Sequence, residues 1–192
     1  MMSWKRWTVG DWMGAVVFAL LLGVRLAQVT AGSWMAFPLA VQSGLAAFLF
    51  LTRRAETAAA PLNRKLTAWL AAVLPFGLQP APHENGWLVI SFAGVVVSLW
   101  GLASLGRSFG IAPADRGLVV SGAYRFIRHP MYAGELLSFA GLTLSNPTLW
   151  NGILWIVLVF VFVLRMGWEE RILDGYAGYG QRVRWRLLPG IW

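Results

Sequence analysis

The sequence predicts an all-α protein, a polytopic membrane bundle of five or six helices. Three observations carry that expectation. Hydrophobic residues make up 58% of the 192 positions and charged residues only 12%, against about 45–50% and about 25% in an ordinary soluble domain. Apolar runs approaching the roughly 20 residues needed to cross a bilayer as a helix recur along the chain. The Lys and Arg residues fall almost wholly in every second connection between those runs, as membrane topology requires.

The candidate spans lie at about 12–31, 34–51, 66–80, 87–105, 131–145 and 148–167. The first follows Lys5 and Arg6, but no small-x-small cleavage site comes after it, so it reads as a retained span and not a removed leader. The third and fifth are short for a crossing, hence five or six helices. Turn residues mark the breaks: A-G-S at 31–33, Q-P-A-P-H-E-N-G at 79–86 and S-N-P at 145–147. Lys5, Arg6, Arg53, Arg54, Arg64, Lys65, Arg107, Arg116, Arg125 and Arg128 lie in the alternate connections, and the turns between them hold no Lys or Arg. Paired crossings put every basic segment on one face, which the positive-inside rule makes cytoplasmic. Arg25 sits inside the first span, either snorkelling to the interface or lining a cavity.

The length suits one membrane domain, with N-terminal helices over 1–105 and a functional core over 106–192. With no cysteine, a disulfide, a thiolate nucleophile and a Cys-ligated metal are excluded. Two histidines far apart, without ligand spacing, speak against a metal site. The net charge of +8 is a property of the topology, so no nucleic-acid partner is expected. No nucleotide-binding or serine-hydrolase motif is present. Gly101, Gly106 and Gly110 read as packing and a helix exit.

Two polar groups break the apolar pattern. One is G-A-Y-R-F-I-R-H-P-M-Y-A-G, Gly122 to Gly134; the other is W-E-E-R-I-L, Trp168 to Leu173, at the end of the last long run. A hairpin across S-N-P returns Glu169 and Glu170 to the face holding Arg128 and His129. Each residue has a plain structural reading. Glutamates at a helix end pair with nearby arginines, arginines meet lipid phosphates, and tyrosines populate the interfacial belt. The pair also opposes the helix dipole by about 0.3–1 kcal/mol each. Glu135, at the start of the next apolar helix, either favours the helix N-terminus or serves a site.

R-H-P-M-Y-A-G preceded by G-A-Y, then E-E-R-I-L, then G-Y-A-G-Y-G-Q-R-V-R-W-R-L-L-P-G resembles the isoprenylcysteine carboxyl methyltransferases and the related phospholipid methyltransferases. The likeness covers about Leu105 to Trp192. One departure is visible: the family usually carries several more residues between E-E-R-I-L and G-Y, where only Asp174 stands here. The resemblance implies an integral-membrane, bacterial-type enzyme in a bacterial inner membrane, with a C-terminal, cytoplasm-facing pocket for S-adenosylmethionine. It implies that Tyr124, His129, Pro130, Tyr132, Gly134, Glu169 and Glu170 bind the cofactor, with Gly122 shaping the approach. Arg128, Glu169, Glu170 and Arg171 are the implied catalytic residues, and Arg128, Arg165 or Arg171 would hold an acceptor carboxylate. The acceptor would be isoprenylcysteine-like or another lipophilic molecule entering from the bilayer among the membrane lipids. N-methylation of a phospholipid amine is the alternative. A sterol-reductase-like chemistry with a nicotinamide cofactor and a non-enzymatic membrane protein also stay open.

Overall fold

Six long helices and one short one are present among the described residues of the computed structural model, which are 9–33, 36–79, 81–83 and 85–192. In chain order they are α1 (Val9–Thr30), α2 (Ala36–Thr52), α3 (Leu62–Val73), α4 (Leu88–Leu105), α5 (Pro130–Ser145), α6 (Leu149–Ile172) and α7 (Tyr176–Arg182). Three of these, α1, α4 with its 3-10 extension, and α6, are long and apolar enough to cross a membrane. Large apolar side chains such as Leu20, Phe37, Val89, Ile156 and Phe160 face outward, as a lipid-facing surface requires. The chain is an integral membrane protein. Lys5 and Arg6 lie outside the described residues.

The third helix differs from its expected range. It starts at Leu62, brings Arg64 and Lys65 into its first turns, and tightens into a 3-10 turn over Leu74–Gly77. Pro75 cannot donate the α-helical hydrogen bond, which accounts for the change. Helix and turn together reach about 26 Å, just short of a roughly 30 Å core. The fifth helix keeps its expected range and starts on Pro130 at its first position, where a missing N–H costs nothing. The sixth runs to Ile172, a full turn beyond the expected end, and carries Glu169 and Glu170 in its last turn.

Opposite ends of the bundle hold different connections. At one end the 53–61 segment meets the 106–116 segment. Arg54 N–H donates to the Arg107 carbonyl at 2.7 Å. Two short strands, β1 (Ala58–Ala59) and β2 (Ala114–Asp115), pair antiparallel with Ala58 opposite Asp115. At the other end Asn151, fully buried, accepts from Gln79 N–H at 2.9 Å and donates to the Gln79 and Asn146 carbonyls. Asn85 donates to the Ser145 carbonyl there. The described basic connections thus share one end, and the turns free of Lys and Arg share the other. Asp11, at the start of α1, pairs with Arg53 at the basic end, and Arg116 pairs with Glu56 at 2.7 Å. Burial and then the charge of Arg53 push the Arg116 guanidinium down to about 10.

The tightest packing joins α4 and α5. Gly94, Gly101, Gly134 and Gly141 meet along the seam with Ser91, Ser98 and Ser138. A Cβ on Gly134 would lie 2.2 Å from the Ser98 nitrogen, and one on Gly94 would lie 2.3 Å from the Ser138 nitrogen. Ser91 and Ser138 hydroxyls bond across the seam at 3.1 Å. Lipid tails give apolar side chains little reason to segregate, so close backbone approach supplies the attraction. The packing reading of Gly101 and the helix-exit reading of Gly106 both hold: Gly106 caps α4 at φ +53°.

Candidate active site

Antiparallel α5 and α6 bring the two polar motifs together. The first turn of α5 offers Tyr132, whose hydroxyl donates to Glu169 in the last turn of α6. His129, just before α5, stacks its ring on Tyr132 at 5.7 Å and 5°. Its Nε2 lies 3.3 Å from Glu170 and its Nδ1 3.9 Å from Glu169. Beyond α6 the chain turns sharply at Gly175, which adopts φ +70°. Asp174 N–H donates to Asp115 there, tying the turn to the 106–116 segment. The shortened turn therefore keeps a wall: Leu173 and Tyr176 both line the resulting cavity.

That cavity holds about 700 Å³ of empty space, counting its open mouth. Its polar lining includes Glu169, His129, Arg116, Tyr124, Tyr176 and Tyr179, and its apolar lining includes Leu105, Leu118 and Met131. Tyr179 is buried, which pushes its phenol up to about 12 and keeps it a donor, to the Tyr124 carbonyl at 2.6 Å. Burial, then Glu169, likewise raises Tyr124.

Several expected site residues have other work. Glu170 does not line the cavity; it accepts a two-pronged bond from Arg186 at 2.8 and 2.9 Å and one from Tyr176 at 3.0 Å. Arg128 lines the cavity, but its guanidinium clamps the Val183 and Gly180 carbonyls, each at 2.7 Å. Backbone N–H groups of Arg128 and His129 donate to the Trp185 and Arg186 carbonyls at 2.8 and 2.9 Å. Glu170 and Arg128 thus latch the C-terminal strap over the R-H-P segment. Arg171 is exposed and lies away from the cavity. Pro130 starts the helix, Gly122 rests on Ser104, and Gly134 belongs to the seam with α4. Of the glutamate pair, Glu169 alone reaches the cavity. Residues 169 and 170 point about 100° apart on a helix, so one carboxylate faces the pocket and the other the strap.

The latch carries a prediction. Arg186→Ala removes a fork to Glu170 that is partly open to water, and is expected to cost about 1 kcal/mol after screening. The melting temperature in detergent should fall by about 2–4 °C. Arg186→Lys should recover only part of it, because an ammonium cannot reproduce the fork.

A second, larger cavity, about 2130 Å³ counting its open mouth, lies in the apolar part of the bundle. It touches the first at Gly110 and Met131, which line both. Arg25 lines it and donates to Gln28, one turn nearer the end of α1, at 2.8 Å. Arg165 and Glu135 line it close to the junction. Arg165 donates to the Ile111 carbonyl at 2.8 Å, lies 4.9 Å over the Tyr132 ring, and leaves its Nε without a partner. Glu135 stands six residues into α5, beyond the first turn, so the helix-dipole reading of it fails.

Residues 86–182, half of the chain, match the family model described as phospholipid methyltransferase. The chain belongs to that family. The chain is also similar to protein-S-isoprenylcysteine O-methyltransferase A of Arabidopsis thaliana, 29% identical over 114 residues. That match covers 53% of the chain and 57% of the relative, so the chain spans little more than half the relative's length. The family match contains both motifs and both glutamates, but stops before Arg186 and the strap. Sequence reading missed Arg116, Tyr176, Tyr179 and Arg186. The G-Y-A-G-Y spacing was the available signal, since it sets two tyrosines three apart on one face of a short helix.

Proposed function

We propose that this protein is an S-adenosylmethionine-dependent methyltransferase that esterifies the carboxylate of an isoprenylcysteine-like or other lipophilic acceptor, its active site facing the cytoplasm. The junction of a polar cavity with a membrane-embedded apolar one carries the reading: the two substrates differ in polarity, and the chain has a place for each. The donor set fits the cofactor. Glu169 suits its ammonium or ribose hydroxyls, Arg116 or His129 its carboxylate, and the tyrosines its adenine or cationic sulfur. When bound, S-adenosylmethionine supplies an electrophilic methyl group on a sulfonium sulfur.

The chain's residues place the nucleophile. Arg165, one turn below Glu169 on α6, receives the acceptor carboxylate, with the hydrocarbon tail in the larger cavity. A carboxylate is ionised at neutral pH and needs no base. Held by Arg165, a carboxylate oxygen would face the methyl group that the cofactor would supply, and no residue of the chain would have to take up a proton. Alignment and exclusion of water supply the rate. N-methylation of a phospholipid amine is the second reading, favoured by the carboxyl of Glu135 in the acceptor cavity.

Titrating the purified protein with S-adenosylhomocysteine by calorimetry tests the cofactor. Glu169→Gln should weaken binding about 30-fold, the equivalent of about 2 kcal/mol for one charged hydrogen bond. Glu170→Gln should lower the melting temperature more than the affinity. A folded wild type that binds no S-adenosylhomocysteine would end the methyltransferase reading.

A further inference from the structure

Glu135 and Arg165 occupy the same level of the bundle. Tyr132 and Glu169, bonded across α5 and α6, mark the floor of the polar cavity. Glu135 is three residues deeper along α5 and Arg165 four residues deeper along α6, so both lie about 4.5–6 Å below that floor. Both line the acceptor cavity. No ion pair within 4.0 Å joins them among the described residues. The Nε of Arg165 has no hydrogen-bond partner, and no hydrogen bond to the Glu135 side chain is present among the described residues. An acid and a base at one depth thus face one apolar chamber without closing on each other, and a ligand group in that chamber can meet both.

An unpaired carboxylate is costly in such surroundings, and intramembrane acids of this kind mark ligand sites. Ser91 and Ser138 bond each other across the α4–α5 seam, Ser98 accepts from Gln42, and none of the three bonds Glu135 among the described residues. Arg25 is no counter-ion at this level: it lies fourteen residues along α1 from Asp11, about 21 Å from the basic end. A bound cation beside Glu135 and a bound anion beside Arg165 satisfy both groups together.

We infer that the acceptor has a zwitterionic amino-acid head, a free ammonium facing Glu135 and a carboxylate facing Arg165, on a long apolar thioether or alkyl tail. This rests on the carboxyl-methylation reading and narrows it. The acceptor is a free lipidated amino acid and not the end of a peptide, whose nitrogen is an uncharged amide. The ammonium fixes the head so that one carboxylate oxygen points to the junction at Met131 and Gly110. The methylated product keeps its ammonium but loses its negative charge, which weakens its hold on Arg165 and favours release.

The test uses three probes: S-farnesyl-L-cysteine, its N-acetyl derivative, and 3-(farnesylthio)propionate, which lacks the amine. Each is titrated into detergent-solubilised wild type and Glu135→Gln, both saturated with S-adenosylhomocysteine, and base-labile methyl transfer is measured separately. Wild type should bind the free amino acid at least about tenfold more tightly than either analogue at pH 7. Glu135→Gln should erase that preference while keeping its S-adenosylhomocysteine affinity, which certifies its fold. Equal or tighter binding of the N-acetyl compound, unchanged in Glu135→Gln, overturns the inference and leaves carboxyl methylation standing. Binding of none of the three to a protein that holds S-adenosylhomocysteine overturns the acceptor class as well. Methyl transfer that survives base treatment moves the reaction to nitrogen and overturns the assignment of the carboxylate to Arg165.

Discussion

Arg165→Leu is expected to lower kcat/KM for a carboxylate acceptor by about 10³-fold while leaving S-adenosylhomocysteine affinity within about twofold. The reason is not charge stabilisation in the transition state. A carboxylate attacking a sulfonium methyl loses its charge as the bond forms, so a cation beside it favours the ground state more than the transition state. What Arg165 supplies is position: its place under Tyr132 and its bond to the Ile111 carbonyl hold the guanidinium at the junction of the cavities. The loss should therefore appear in KM as well as kcat, and Arg165→Lys should not recover it, because one ammonium lacks the planar fork. Steady-state kinetics beside calorimetry separates this from collapse of the site. Wild-type kinetics in Arg165→Leu would remove the acceptor role from this residue.

Gly134→Val is expected to prevent folding. Its Cβ would sit 2.2 Å from a backbone nitrogen of α4, and Gly94→Val would meet the same obstacle from the other side at 2.3 Å. Overpacking in a core typically costs about 1–3 kcal/mol when side chains can shift. Here the obstacle is backbone, so the helices must separate and the seam is lost along its length. Gly167→Ala in α6, where nothing lies within 4 Å, is the control and should fold normally. Size-exclusion profiles in detergent give the readout. A monodisperse Gly134→Val protein would mean that α4 and α5 can part without unfolding.

The helices were legible because hydrophobic length is a strong signal in a membrane protein. The separation of basic connections from neutral turns was legible for the same reason, and the bonds of Arg54 to Arg107 and of Asn85 to Ser145 bear out that pairing. The convergence of R-H-P-M-Y with E-E followed from the hairpin across S-N-P. What adjacency in sequence hid was the division between Glu169 and Glu170. Helix geometry points the two side chains about 100° apart, but which of them the strap takes is decided by its return, and that long-range return has no local signature. Glu135 was visible as an acid in an apolar helix, but its chamber is built by residues from six helices, which no window of sequence contains.

The strap has a consequence for how the protein comes to exist. Arg128 is held by a carbonyl 55 positions later in the chain, at Val183. At about 5–20 residues per second of synthesis, the R-H-P segment waits roughly 3–11 s for its partner to leave the ribosome. All six long helices precede that partner and can be in the bilayer before it emerges. The pocket lining ends at Tyr179, so the strap that holds the R-H-P segment is the last part of the molecule to be made. A chain released without its last ten residues would keep all six long helices and every residue that lines the pocket, yet lack the carbonyl that holds Arg128.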